Sequence, residues 1–208
     1  MLLRAKALID SSRMLSAWTA LAIDKSVKDP DEKVRKANND LVELMTPIIK
    51  SILTDYGVEI SSEMLQIFGG HGYIREYGME QFYRDARIAP IWEGTNGIQA
   101  MDLAGRKMPQ GMGRLLRRFF HPALAFIEDN RSDENLKEFV IPFEKALKGL
   151  QKTSMFMAQK GLSNPYEIGA AASDYMKQFG LVSMGYMWLL MLKTAFSKQD
   201  EDEFYKNK

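Results

Sequence analysis

The sequence predicts an all-α protein: a helical bundle over residues 1–108, followed by a second helical module over residues 109–208. Three observations predict it. Apolar residues recur at helical spacing through most of the chain, and no β-type alternation of useful length appears. Clusters of glycine, proline and asparagine or aspartate punctuate the helical stretches. With 208 residues the chain is long enough to bury a full hydrophobic core.

In the first segment Leu8, Leu15, Trp18 and Ala22 share a face. The second repeats the pattern with Leu41, Leu44, Met45, Ile48, Ile49, Ile52, Leu53 and Tyr56. Between them, Asp29 is expected to cap the second helix, with Pro30 at its first position and Glu32 as the capping-box acid. Gly57 is expected to end that helix. A short one then covers about Ser61 to Phe68, broken by Gly69-Gly70. Met79 to Arg87 reads as another short helix, and Pro90 keeps Ile88 to Trp92 from continuing it. Thr95 suits the cap of a helix running to about Lys107. Pro109-Gln110-Gly111-Met112-Gly113 reads as a linker or sharp turn. Beyond it, Leu136, Phe139, Val140, Phe143, Leu147 and Leu150 form one stripe, and Tyr175, Phe179, Val182, Tyr186 and Leu189 another. Asn164-Pro165 separates the two.

Composition narrows the function. The 28 basic and 27 acidic side chains leave a net charge of +1, so no whole-chain field draws nucleic acid or an anionic membrane. Cysteine is absent, which removes disulfides, thiolate metal sites and cysteine nucleophiles. It also fits a reducing, cytoplasmic setting. The apolar run at Met184–Leu192 is too short for a membrane span, and no signal peptide is read at the amino terminus. His71 and His121 have Phe68 and Arg118 three residues before them, so neither forms the Glu-x-x-His pair of bundle di-iron sites, and no metal is expected. The 14 methionines read as flexible core filler.

The chemistry-bearing stretch is Gln66-Ile67-Phe68-Gly69-Gly70-His71-Gly72-Tyr73, followed by Tyr83-Arg84-Asp85 and Ile88-Ala89-Pro90-Ile91-Trp92-Glu93-Gly94-Thr95-Asn96-Gly97-Ile98-Gln99. The glycines allow close approach of a bulky anionic ligand such as a pyrophosphate, or else mark a helix stop and tight turn. Glu93 follows an apolar run and precedes a glycine and a helix start. Beside Trp92 and Ile91 its carboxylate is expected to lose hydration and gain basicity. Gly94 leaves room for a substrate and offers an N–H donor. The alternative is a carboxylate resting favourably near a helix amino terminus. The run Arg114, Arg117, Arg118 with His121 could meet a CoA phosphate or a partner, though a solvated helix face is the expected reading. His71 contacts a cofactor or is satisfied by its own loop.

The two blocks resemble the paired signatures near the carboxyl end of acyl-CoA dehydrogenases, Gln-x-x-Gly-Gly-x-Gly-Tyr/Phe and Tyr-Arg-Asp-x-x-x-x-x-Ile-Tyr-Glu-Gly-Thr, in order and separation. Trp92 replaces the commoner tyrosine. The resemblance runs from about Met1 to Lys107. The helices beyond Pro109, with pieces such as Ala172-Ser173-Asp174-Tyr175, resemble a subgroup carrying an extra carboxyl-terminal helical domain. It implies that Glu93 is the catalytic base and that Gly94 contacts the acyl thioester through its backbone. Thr95, Asn96 and Gly97 would lie against FAD, and Gln66, Gly69 and Gly70 would reach the adenosine-diphosphate half of a flavin held mainly by a neighbouring subunit. It further implies oxidation of an acyl-CoA to a trans-2-enoyl-CoA, electron transfer to an electron-transfer flavoprotein, and a homo-oligomer. The family's amino-terminal helical domain and central β-domain have no counterpart in these residues, so the chain is expected to be part of an enzyme and inactive alone. An acyl-CoA oxidase-like flavoenzyme, or a non-catalytic helical interaction module in which Glu93 is incidental, are the competing readings.

Overall fold

The computed structural model describes residues 1–201 and 203–206, and among them every regular element is helical. Two long helices open the chain, α1 (Leu2–Lys28) and α2 (Glu32–Ile67), packed side by side across a three-residue turn. The cap of α2 lies two residues later than expected. Asp31, not Asp29, accepts the Lys33 N–H at 2.8 Å, while Asp29 ends α1 and accepts from the Asp31 N–H. Both aspartates suit a cap, and proline at position 30 leaves the second nearer the first free amides.

Gly57 does not end α2, which runs unbroken through both Pro47 and Gly57 to Ile67. A mid-helix glycine costs only about 1 kcal/mol relative to alanine. The contact with α1 offsets it: Arg4 pairs with both Glu59 and Glu63 beyond the glycine, and the Ser61 hydroxyl donates to the Gly57 carbonyl at 2.8 Å. The helix expected over Ser61–Phe68 is therefore the last part of α2.

Two 3-10 turns, Gly69–Tyr73 and Arg75–Tyr77, lead into α3 (Met79–Ile88), which lies against α2. Thr95 caps α4 (Asn96–Met101) as expected, its hydroxyl accepting the Ile98 N–H at 3.3 Å. The helix then widens into a π turn over Asp102–Lys107. After the turn at 109–113 come α5 (Arg114–Asn130), α6 (Lys137–Ser163) and α7 (Pro165–Lys198), with a short α8 (Glu203–Lys206). Asn164 caps α7 by accepting the Tyr166 N–H, with Pro165 as its first residue, as the Asn-Pro break implies.

One core runs through all the long helices. Leu15, Leu44, Met45, Ile48, Leu103, Leu115, Phe119, Leu147, Phe179 and Met187 are fully buried within it. Of the expected stripes only Phe139 faces out appreciably, while Leu8, Trp18, Ile49, Leu53 and Tyr56 pack on the core's margin. Tyr186 of α7 is a meeting point of four helices: Trp18 of α1, Phe119 and Phe126 of α5, and Phe143 of α6 lie within 5.9–6.2 Å of its ring. By length and composition alone α7 is apolar enough to cross a membrane, a property the shorter run at Met184–Leu192 does not reveal. In the fold it is the central helix, with Tyr175, Phe179, Val182, Tyr186 and Leu189 buried against α1, α2 and α6. Since α7 packs on α1, α2 and α4, this core is continuous across the expected division at residue 108.

Candidate functional site

The turn between α3 and α4 brings Glu93, Gly94, Thr95, Asn96 and Gly97 together. Pro90 ends the preceding helical run, and two consecutive positive-φ residues, Glu93 at 52° and Gly94 at 86°, reverse the chain into α4. For Gly94 that conformation is free of steric penalty, whereas for Glu93 it costs on the order of 1 kcal/mol. Several contacts hold it. The Asn96 N–H donates to the Pro90 carbonyl at 3.1 Å, closing the turn. The Gln99 amide reaches back to the carbonyls of Glu93 and Gly94 at 3.5 and 3.4 Å. A Cβ on Gly94 would lie 2.7 Å from that Gln99 nitrogen, the end of a side chain that can move, so it is the positive φ that calls for glycine here.

Glu93 itself is exposed, which differs from the expected dry setting. Trp92 and Ile91 are each about half exposed, because the sharp turn spreads the three side chains instead of stacking them. Among the described residues nothing buries Glu93.

Asn96 was expected to face a cofactor, but its side chain is turned to α2. Its Oδ1 accepts from Lys50 Nζ at 2.7 Å, and its Nδ2 donates to Asp55 Oδ1 at 2.7 Å, to Thr54 Oγ1 at 3.0 Å and to the Ser51 carbonyl at 3.1 Å. These partners use both donors and the acceptor of the amide. Thr95 and Gly97 are exposed beside it.

The second cluster lies further along α2. From Asp55 to Gln66 the helix rises about 16 Å at 1.5 Å per residue. There Gln66 is exposed at the last turn, and Gly69 (φ 59°) and Gly70 form an open bend where an added Cβ would meet nothing within 4 Å. Gly72 is the tight one: a Cβ there would lie 2.4 Å from the Leu65 carbonyl oxygen, so the bend closes onto α2. His71 lies edge-on to Tyr77, with ring centroids 4.9 Å apart. A groove of about 430 Å³ runs between α2 and α3, lined by Asp55, Glu59, Glu63, Tyr83, Arg87 and Pro90. Around it Phe68, Tyr73, Tyr77, Phe82, Trp92 and Ile98 stand 48–80 % exposed. Such a concentration of uncovered aromatic and aliphatic surface marks a contact face.

The basic run on α5 is the solvated face that was expected, with Arg114, Arg117 and His121 exposed, and it is also tied into the fold. Arg114 and Arg118 both pair with the buried Asp40 of α2, at 3.1 and 3.2 Å, and Arg117 donates to the Met112 carbonyl. Sequence reasoning also passed over Lys50, Thr54 and Asp55, and gave Gln99 no role. The one local signal of the first three is a set of polar positions between the apolar residues of α2.

Residues 2–108 match the family model described as "Acyl-CoA dehydrogenase, C-terminal domain", and residues 119–208 match "Acetyl-CoA dehydrogenase C-terminal like". The 3-methylmercaptopropionyl-CoA dehydrogenase of Ruegeria pomeroyi is 45 % identical over 119 residues, 57 % of this chain and 20 % of its own length. The broad-specificity linear acyl-CoA dehydrogenase of Mycobacterium tuberculosis is 28 % identical over the whole of this chain, which spans 36 % of that protein. In three dimensions the chain is similar to Caenorhabditis elegans ACDH-11, whose crystal structure holds C11-CoA. The TM-score is 0.73 and the identity 25 %, over 89 % of this chain and 30 % of that one. The chain thus spans about a third or less of the length of these relatives.

Proposed function

The chain belongs to the acyl-CoA dehydrogenase family, and from that premise we propose that it supplies the base and the flavin-facing turn of an enzyme oxidising an acyl-CoA thioester to a trans-2-enoyl-CoA. The observation that carries the reading is the braced turn: the Glu93 backbone is held in a left-handed conformation just before α4, which places the residue at the open mouth of that helix. In this role the Glu93 carboxylate takes the proton from the carbon beside the thioester carbonyl. The Gly94 N–H donates to the carbonyl oxygen as it gains negative charge. Covering Glu93 raises its basicity by removing water, and in the proposed enzyme that cover comes from outside this chain.

FAD, when bound, supplies the acceptor for the hydride leaving the β-carbon. The residues fit such a group unevenly. Gln66, Gly69, Gly70, Thr95 and Gly97 are exposed with open backbone, whereas the Asn96 side chain is committed to α2 and could offer only its backbone. An electron-transfer flavoprotein as onward acceptor, a homo-oligomer formed through the exposed aromatic face, a division at residue 108 and a cytoplasmic location complete the proposal.

Its test is Glu93→Gln in the flavin-loaded enzyme containing this segment, followed by dye reduction. The expected result is a fall in kcat of about 10²–10⁴-fold with acyl-CoA binding retained. Unchanged turnover would mean that Glu93 is incidental. The 208-residue chain mixed with FAD and acyl-CoA is expected to give no turnover.

A further inference from the structure

We infer that Asn96 is a positioning residue: held between the Lys50 ammonium and the Asp55 carboxylate, it fixes the turn that presents Glu93. The inference takes its functional meaning from the reading of Glu93 as the base, but the geometry beneath it is independent of that reading.

Lys50 can only donate and the Asp55 carboxylate can only accept, so the Asn96 amide has one orientation that satisfies both. Each of these 2.7 Å bonds has an ionised partner, the class about twice as strong as a neutral pair. Thr54 and the Ser51 carbonyl complete the set, so one side chain is tied to a full turn of α2. Asn96 is also the first residue of α4, and its own N–H closes the turn onto Pro90. The backbone of residues 90–96 is thereby pinned at its downstream end to α2, a long helix packed against α1, α3, α5 and α7. Glu93 lies in the middle of that pinned loop with a conformation that an unrestrained glutamate would leave. Gln99 adds a weaker brace to the carbonyls on either side of the reversal.

The charges explain why an amide is required. An ammonium beside the first turn of a helix opposes the partial positive charge there, and Asp55 offsets it. An amide joins the two ions by donating to one and accepting from the other. A carboxylate at position 96 would still accept from Lys50 but would repel Asp55.

The test is a swap read by amide hydrogen exchange in the 208-residue chain. The reporters are the amides of positions 96, 98 and 99, whose bonds define the turn, and Phe179 in the core reports global stability. Asn96→Ala and Asn96→Asp are each expected to speed the reporter amides about tenfold or more relative to Phe179. Asn96→Asp combined with Asp55→Asn exchanges the amide and the carboxylate while conserving charge; it keeps the bonds to Lys50 and to position 55 but loses the donor to the Ser51 carbonyl, and should restore part of the protection lost in Asn96→Asp. Three results would overturn the inference: unchanged reporters in the single variants, reporters that rise only in step with Phe179, or a double variant no better protected than Asn96→Asp. If the single variants do not fold, the double variant decides alone, with reporter amides within about tenfold of wild type relative to Phe179 required. In the flavin-loaded enzyme the swap pair should lower and then partly recover kcat with KM little changed. Glu93→Gln leaves the exchange pattern intact, so failure of the base assignment is told apart from failure of the positioning role.

Discussion

Tyr175 shows how much one side chain reports about its surroundings. It is almost wholly buried on α7, and its hydroxyl lies 2.7 Å from Ser154 Oγ on α6. The single Ser154 proton already goes to the Leu150 carbonyl, so Tyr175 is the donor. Burial pushes its phenol up to about 12. The folded state therefore holds this proton more tightly than the unfolded chain, where the value is about 10. The sign follows: the stabilisation is complete below about pH 10 and disappears as pH rises through about 12, a loss of roughly 2–3 kcal/mol. Urea unfolding between pH 8 and 12 should show that alkaline decline, and Tyr175→Phe should flatten it. An equally steep decline in the variant would assign it to other groups. The Thr95 cap was legible at this scale from the sequence, whereas the bonds from Asn96 to α2 were not. The partners of Asn96 sit on another helix, more than forty positions earlier, and no local pattern links them.

Helices record the same contrast. Their faces were readable because a buried stripe repeats within one element, as in Tyr175, Phe179, Val182, Tyr186 and Leu189. Their ends were read less well. Gly57 looked like a terminus because the contact that carries α2 past it comes from Arg4, more than fifty positions away. Glycine's more demanding role is at Gly180, where α7 crosses α2. A Cβ there would lie 2.2 Å from Ile52 Cγ1 and 2.6 Å from its Cδ1. Gly180→Ala is expected to destabilise by about 1–3 kcal/mol through overpacking, and the double variant with Ile52→Ala should be more stable than the sum of the two single losses implies. Chemical denaturation of the four species in that cycle measures the coupling; strict additivity would show that the crossing is looser than the structure implies.

At the scale of the molecule, the two family-matched segments share one interior. The Tyr186 ring collects aromatic neighbours from α1, α5 and α6, and Asp40 gathers two arginines across the same junction. We therefore expect calorimetry to record a single unfolding transition whose calorimetric and van't Hoff enthalpies agree. Two resolved peaks would mean that the segments melt separately. Sequence patterning could not anticipate this union, since periodicity says which face a helix buries and not which distant helix it meets. The π turn at Asp102–Lys107 bears on the union in a specific way. Such a widened coil accommodates one surplus residue, and each residue rotates the path by about 100°. The side chains within it are consequently dialled round by more than a quarter revolution, and Leu103 and Ala104 come to rest buried where this segment meets α2 and α7. Past it, the reversal at 109–113, with positive φ at Gly111, Met112 and Gly113, sets the heading of α5.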